Sequence, residues 1–269
     1  MILGENTKLV HIDPIPGRVG KSEPTDVGIV SNCKSGLSEL IEQISGHLDT
    51  SEVNSRRESA VQQSEEEKKL YEDSVSSHWN NTPMPPARMM YELSKAVPKN
   101  TIVVNDTVSN NAASRHYFVA ESRDDMRGVR GQSIGGGIGA TMGTKCAFPD
   151  RPVVGIIGDG SAMMTIQGLW TAANDNIPCV FVICNNGMYR VLKVNFNIYQ
   201  TEVLSEPEPA GENLLYSNFD TPFDISEIAK GMGIQSERVT DPEEIGPAVE
   251  RALSSNKPSV IDVVIDGSL

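Results

Sequence analysis

Asp159 and Asn186 are the side chains whose type and spacing in this 269-residue chain could do chemistry. Asp159 stands in Gly158-Asp159-Gly160, directly after the apolar, mostly β-branched run Val153 to Ile157; Asn185-Asn186-Gly187 directly follows a second such run, Val180 to Cys184. Runs of this kind are the pattern of strands buried on both faces in a parallel sheet. Between them, Ala162 to Ala173 has apolar residues at helical spacing, with Ser161 able to cap its start. A strand, helix, strand crossover puts both polar turns at the carboxyl edge of neighbouring parallel strands, where ligands of open α/β sheets bind. What meets there is one carboxylate, Asp159, two carboxamides, Asn185 and Asn186, and the backbone groups of glycine-containing turns. These are hard oxygen ligands of little net charge, suited to a Mg²⁺ ion that keeps part of its octahedron for water and phosphate oxygens. A helix opening at Ser161 adds free N–H groups and a positive dipole end, so the expected guest is a magnesium-bound diphosphate.

The same residues resemble a known family. G-D-G, an intervening helix and strand, then N-N is the cofactor motif of thiamine diphosphate enzymes, here Gly158-Asp159-Gly160 and Asn185-Asn186. The stretch GDGSAMMTIQGLWTAANDNIPCVFVICNNGMYRVLK is most similar to the benzoylformate decarboxylase and acetolactate synthase branch. The resemblance implies a metal held by Asp159, Asn186 and the backbone carbonyl of Met188, with Gly158, Gly160, Ser161 and Tyr189 among the cofactor-binding residues. It sets Val191, Leu192 and Asn195 in the substrate pocket. Relatives that act on aromatic substrates often carry bulkier rings at these positions, which turns the expectation away from benzoylformate itself. In Gly131-Gln132-Ser133-Ile134-Gly135-Gly136-Gly137-Ile138-Gly139 the resemblance implies that Ile134 props the cofactor into a bent shape. The Gln132 carbonyl would meet the aminopyrimidine, and Ser133 would be counted with them. Close helix packing explains these glycines equally well without any ligand, and no apolar run precedes them as a dinucleotide fingerprint requires.

Further elements must position these residues. Lys8 to Ile12 and Val27 to Val30 read as short strands and Lys34 to Leu48 as a helix, together too little to bury a core. The resemblance likens "HIDP…VGIV…CKSGLSELI" to the tail of a Rossmann-like middle domain, residues 1–48, whose beginning is missing. His11 reads as a structural strand residue. Residues 49–82 turn polar around Glu65-Glu66-Glu67-Lys68-Lys69 and read as an exposed helical connector ending in a proline cluster. Residues 83–269 then form the diphosphate and Mg-binding domain. Its helix Ala87 to Ala96 is followed by a strand, Thr101 to Val104, ending at Asn105-Asp106-Thr107. Ser109 and Asn110 could reach a phosphate, or Asp106 or Ser109 could cap a helix. His116 and Tyr117 receive no role. Asn195 to Phe219 reads as a mobile loop beside the site; helix Asp224 to Met232, strand Gln235 to Val239, helix Pro242 to Leu253 and strand Ser259 to Ile265 close the sheet. The expected class is therefore α/β, a parallel sheet flanked by helices on both faces.

A net charge of −13 argues against nucleic acid as a partner, since phosphate contacts need clustered Lys and Arg. No apolar run is long enough to span a bilayer and no basic-then-apolar leader is present, so the expected location is the cytoplasm. Cys33, Cys146, Cys179 and Cys184 lack C-x-x-C spacing and read as reduced, buried thiols. The resemblance implies a 2-keto acid substrate, thiamine diphosphate and Mg as cofactors, and decarboxylation, carboligation or acyl-CoA lyase chemistry. It also implies that the activating Glu belongs to a pyrimidine-binding domain that this chain lacks, so no catalytic residue is expected here. The chain is then the C-terminal part of a longer enzyme or one of two subunits, inactive alone and homo-oligomeric. Its rivals are a catalytically dead thiamine diphosphate-binding or regulatory protein, and a NAD- or flavin-binding Rossmann protein.

Overall fold

In the computed structural model, which describes residues 3–4, 6–122, 125–129, 133–207 and 210–269, the chain divides into two units, Met1–Leu70 and Tyr71–Leu269. The first holds strands β1 (Val10–Asp13) and β2 (Val27–Val30), paired in parallel from Val10 opposite Val27 to Asp13 opposite Val30. β1 starts later than the apolar alternation predicts. Asp26 engages the preceding residues instead, accepting from Lys8 Nζ and from the Leu9 N–H, each at 2.9 Å. Helix α1 (Cys33–Ser45) follows, capped by the Asn32 side chain. None of the described residues of this unit is buried, and Leu37, Ile41 and Ile44 of α1 are all exposed. Helix α2 (Thr50–Ser76) also buries nothing, and its charged centre is a solvated face laced by bonds from Gln62 to Glu66 and Gln63 to Glu67.

The second unit alternates strands and helices: α3 (Pro86–Ala96), β3 (Ile102–Asp106), α4 (Asn111–Tyr117), β4 (Met126–Gly128), α5 (Gly137–Ala147), β5 (Val153–Gly158), α6 (Asp159–Met164), α7 (Gly168–Asn174), β6 (Val180–Asn185), α8 (Arg190–Ile198), α9 (Ile225–Gly231), β7 (Gln235–Val239), α10 (Ile245–Ser254) and β8 (Ser259–Val264). The six strands form one wholly parallel sheet in the order β4-β3-β5-β6-β8-β7. Alternate side chains leave it on opposite faces. Val103, Val154, Ile156, Val180, Val182 and Ile261 pack with Met89, Met90 and Leu93 of α3 and Ala248 and Val249 of α10. Ile102, Val104, Val153, Ile157, Phe181 and Ile183 pack with Ile138 of α5, Leu169 of α7 and Ala229 of α9. Both faces are thus covered, as continuous apolar strands require.

Three local readings are corrected and one strand is added. The single helix expected from Ala162 to Ala173 is two. α6 starts at Asp159 with Gly158 as its N-cap, not Ser161, and ends at Thr165, whose hydroxyl donates to the Gly135 carbonyl at 2.7 Å. Met126–Gly128 is a strand, too short to carry a sequence pattern and held by pairing with Val103–Asn105. Asn195 is helical: α8 runs to Ile198 and continues into a π-helical turn, Tyr199–Val203. Cys179 and Cys184 are buried, but Cys33 and Cys146 are exposed, because only the former pair lies in or against the sheet core.

Candidate functional site

After β3 the chain crosses to β4 on one side, whereas β5 pairs with β3 on the other. This is a topological switch point, and the crevice beyond the carboxyl ends of the strands there is where a parallel α/β sheet takes its ligand. A cleft of ≈ 380 Å³ lies at that place. It is lined by Asp106 to Asn110 after β3, by Gly158, Asp159, Gly160 and Ser161 after β5, and by Asn186, Met188, Tyr189, Arg190, Val191 and Leu192 after β6, with Ile134 and Met164 beside them. Most of the residues singled out in the sequence therefore meet. Ser133 and Asn195 do not line the cleft and are both exposed; Gln132 lies outside the described residues.

Asp159 joins the two turns. It is 3% exposed, its Oδ1 accepts from the Gly160 N–H and its Oδ2 from the Gly187 N–H, each at 2.7 Å. Burial pushes its carboxyl up to about 6, against the N–H groups of Gly160, Gly187 and Asn186, which pull it down. Gly187 adopts φ +68°, a left-handed conformation that glycine takes at no steric cost. It turns the chain between Asn186, whose Oδ1 accepts from the Met188 N–H at 3.2 Å, and Met188 itself. Tyr189 donates its N–H to Ser217 at 2.7 Å and sets its ring edge-on to Phe219, with 4.8 Å between centroids. The same ring closes over Gly160, where a Cβ would run into it.

Asn185 does not face the cleft. As the last residue of β6 it is buried, and its Nδ2 donates to the Phe223 carbonyl and to Asp262 Oδ1, each at 2.9 Å. The expectation of two carboxamides at the site is corrected to one. Asp262 of β8 is fully buried and also accepts from the Ile225 N–H at 3.2 Å and Arg238 Nη1 at 3.0 Å. Burial raises its carboxyl, while Asn185 and Arg238 lower it. Sequence reasoning missed this brace, although an Asp interrupting the apolar run Ser259–Val264 was a usable signal. It missed a second one. Asp106 Oδ2 accepts from the Gly137 N–H at 2.8 Å and from the Ser161 hydroxyl, which in turn accepts from the Gly135 N–H at 2.7 Å. A Cβ on Gly137 would stand 2.7 Å from that of Asp106 and 2.9 Å from Ile157, so close packing accounts for this glycine. Asn110 is 4% exposed in the cleft wall, and its Oδ1 has no hydrogen-bond partner among the described residues.

The fold and this corner define a class, a parallel α/β domain with its ligand cleft at the topological switch point. Residues 106–263 match the family described as "Thiamine pyrophosphate enzyme, C-terminal TPP binding domain", and the chain belongs to that family. It is 31% identical over 271 residues to a Methanococcus aeolicus protein described as a probable acetolactate synthase large subunit, covering 98% of this chain and 44% of that one. It is 30% identical over 182 residues to the benzoylformate decarboxylase of Pseudomonas aeruginosa, covering 67% and 32%. Among solved structures, the thiamine diphosphate-dependent 4-hydroxybenzoylformate decarboxylase of Rhodococcus jostii RHA1 superposes with a TM-score of 0.61 at 28% identity, over 69% of this chain and 33% of that one. The chain thus spans less than half the length of these relatives. No helix among the described residues is long and apolar enough to cross a membrane.

Proposed function

We propose that this chain is the diphosphate-binding portion of a thiamine diphosphate- and Mg²⁺-dependent enzyme that decarboxylates or carboligates 2-keto acids. The carrying observation is the 2.7 Å bond from the Gly187 N–H to Asp159 Oδ2, which ties the two motif turns into one corner. Residues 1–48 are the end of a middle domain, 49–82 a helical connector and 83–269 the cofactor domain.

The residues fit the metal and the cofactor. Asp159 is a buried carboxylate that forms no ion pair with a described residue, and burial raises its pKa. Among the described residues no group of three His, Cys, Asp or Glu surrounds it. An ion held by Asp159, the Asn186 carboxamide and the Met188 carbonyl would need further oxygens, and diphosphate and water supply those. The unpartnered Asn110 Oδ1 offers a further polar contact in the same wall. When bound, thiamine diphosphate would supply the nucleophilic and electron-sink chemistry that a 2-keto acid requires. The chain's own part is to anchor and orient. Asp159 and Asn186 would hold the ion, Gly158, Gly160, Ser161 and Tyr189 would shape the diphosphate end, and Ile134 and Met164 line the wall with apolar surface. Val191 and Leu192 face the substrate. Asp159 accepts from the Gly160 and Gly187 N–H groups and Asp106 Oδ2 from the Gly137 N–H, which fixes the orientation of both cleft carboxylates. The resemblance to thiamine diphosphate enzymes implies that activation of the aminopyrimidine falls to a Glu of a separate pyrimidine-binding domain, in a cytoplasmic homo-oligomer.

Calorimetric titration with Mg²⁺ and thiamine diphosphate, paired with a 2-keto acid decarboxylation assay, tests this reading. Magnesium-dependent binding without turnover by the chain alone is expected. Turnover by the isolated chain would overturn the divided site, and no binding at all would overturn the cofactor assignment.

A further inference from the structure

Arg190 is the one basic side chain among the described residues that line the cleft. It is half-buried and opens α8, so a positive charge sits in the first turn of a helix, where the dipole disfavours it. In a chain of net charge −13 it has no acidic partner: none of the ion pairs of the described residues includes it. One turn further along α8, Lys193 has Glu212 at 3.4 Å. Arg190 is nevertheless oriented. Its Nε donates to the Ser268 carbonyl at 2.8 Å, and its two Nη groups have no hydrogen-bond partner among the described residues. The segment that holds it is itself held, because the Asp266 N–H donates to the Met84 carbonyl at 2.9 Å and Gly267 lies too close to Asn186 and Met188 to admit a Cβ.

We infer that Arg190 is an oxyanion-recognising residue of this cleft, presenting its Nη fork to a carboxylate or phosphate oxygen pair of the bound ligand. A guanidinium pinned at Nε and open at both Nη groups is the geometry for bidentate recognition of such a group. Ile134, Met164, Val191 and Leu192 line the same cleft and offer no competing polar side chain to the anion. The anion also discharges the unfavourable placement of the cation at the start of α8. Two sources carry this chemistry in one cleft, the carboxylate of a 2-keto acid and the diphosphate of the cofactor. The inference rests on the functional reading above and deepens it by assigning an anion contact to this residue.

The test compares the full chain with Arg190→Gln and Arg190→Lys by calorimetry, using Mg²⁺ alone, Mg²⁺ with inorganic diphosphate, and pyruvate against uncharged methyl pyruvate in the presence of Mg²⁺ and thiamine diphosphate. Circular dichroism and urea midpoints serve as folding controls. Arg190→Gln is expected to weaken the relevant anion about tenfold or more, as loss of a charge-assisted pair does, with Arg190→Lys between and Mg²⁺ alone unchanged. A loss confined to diphosphate identifies the cofactor as the source. One confined to pyruvate and absent for its ester identifies the substrate. Equal affinities of Arg190→Gln and the parent chain for both anions overturn the inference and leave the functional reading standing. Failure of the parent chain to bind Mg²⁺ with diphosphate overturns both.

Discussion

Without a metal, the ionisation of Asp159 works against folding. Burial raises its carboxyl from 3.8 to about 6, so the folded state binds the proton more tightly than the unfolded chain does. The stability this provides is fully present below pH 3.8 and is lost as pH rises through 6. At about 1.36 kcal/mol per tenfold change in the ionisation constant, the whole interval is worth about 3 kcal/mol. Somewhat more than half is gone by pH 5, leaving about 1.4 kcal/mol to be lost between pH 5 and pH 8. Asp159→Asn removes this dependence while every other carboxylate titrates in both proteins and cancels in the difference. Urea unfolding in a chelator at pH 5 and pH 8 should therefore show the parent chain losing about 1.4 kcal/mol relative to Asp159→Asn. Because Mg²⁺ competes with the same proton, its affinity should rise about tenfold between pH 5 and pH 7. Parallel pH curves for the two proteins would refute the buried-charge argument, and a flat magnesium affinity would refute the role of Asp159 as a ligand.

Other substitutions probe the supports of the corner. Asp262→Ala leaves Asn185 Nδ2, the Ile225 N–H and Arg238 without their acceptor and should cost about 3 kcal/mol in urea unfolding, with Asp262→Asn costing less. Gly160→Ala drives a methyl group into the Tyr189 ring; overpacking costs about 1–3 kcal/mol, and calorimetry should find Mg²⁺ affinity lowered along with stability because the ring adjoins Met188. Lys193→Met should be neutral or stabilising within about 1 kcal/mol by thermal unfolding, since among the described residues the buried ammonium has only the 62%-exposed carboxylate of Glu212 at 3.4 Å.

The centre of the sheet was readable because β5 and β6 bury both faces, so their sequences are unbroken apolar runs whose ends are marked by the polar turns that matter. β2 was legible as the short apolar run Val27 to Val30 bounded by turn residues. β4 was not, since three residues carry no period and the pairing with β3 alone makes them a strand. The direction of Asn185 was also hidden. Two adjacent carboxamides look equivalent in sequence, but Asn185 belongs to the strand and turns into the sheet, where Asp262 from a strand far along the chain receives it. Ser161 misled in the same way: its side chain has both a cap and a tertiary partner within its chemical repertoire, and the buried carboxylate of Asp106 won.

Ile102 pairs with Val153, and Val180 with Ser259, so no strand of the large sheet is joined to its neighbour by a hairpin. Every such pairing closes a long loop before any reward is collected, which makes acquisition of the native state slow. The oxygens around Asp159 come together only once β5 and β6 have paired. A ligand that recognises them has nothing to grip in the transition state for folding. Magnesium and diphosphate should therefore prolong the lifetime of the folded chain by retarding its unfolding, while leaving the rate of refolding from denaturant untouched.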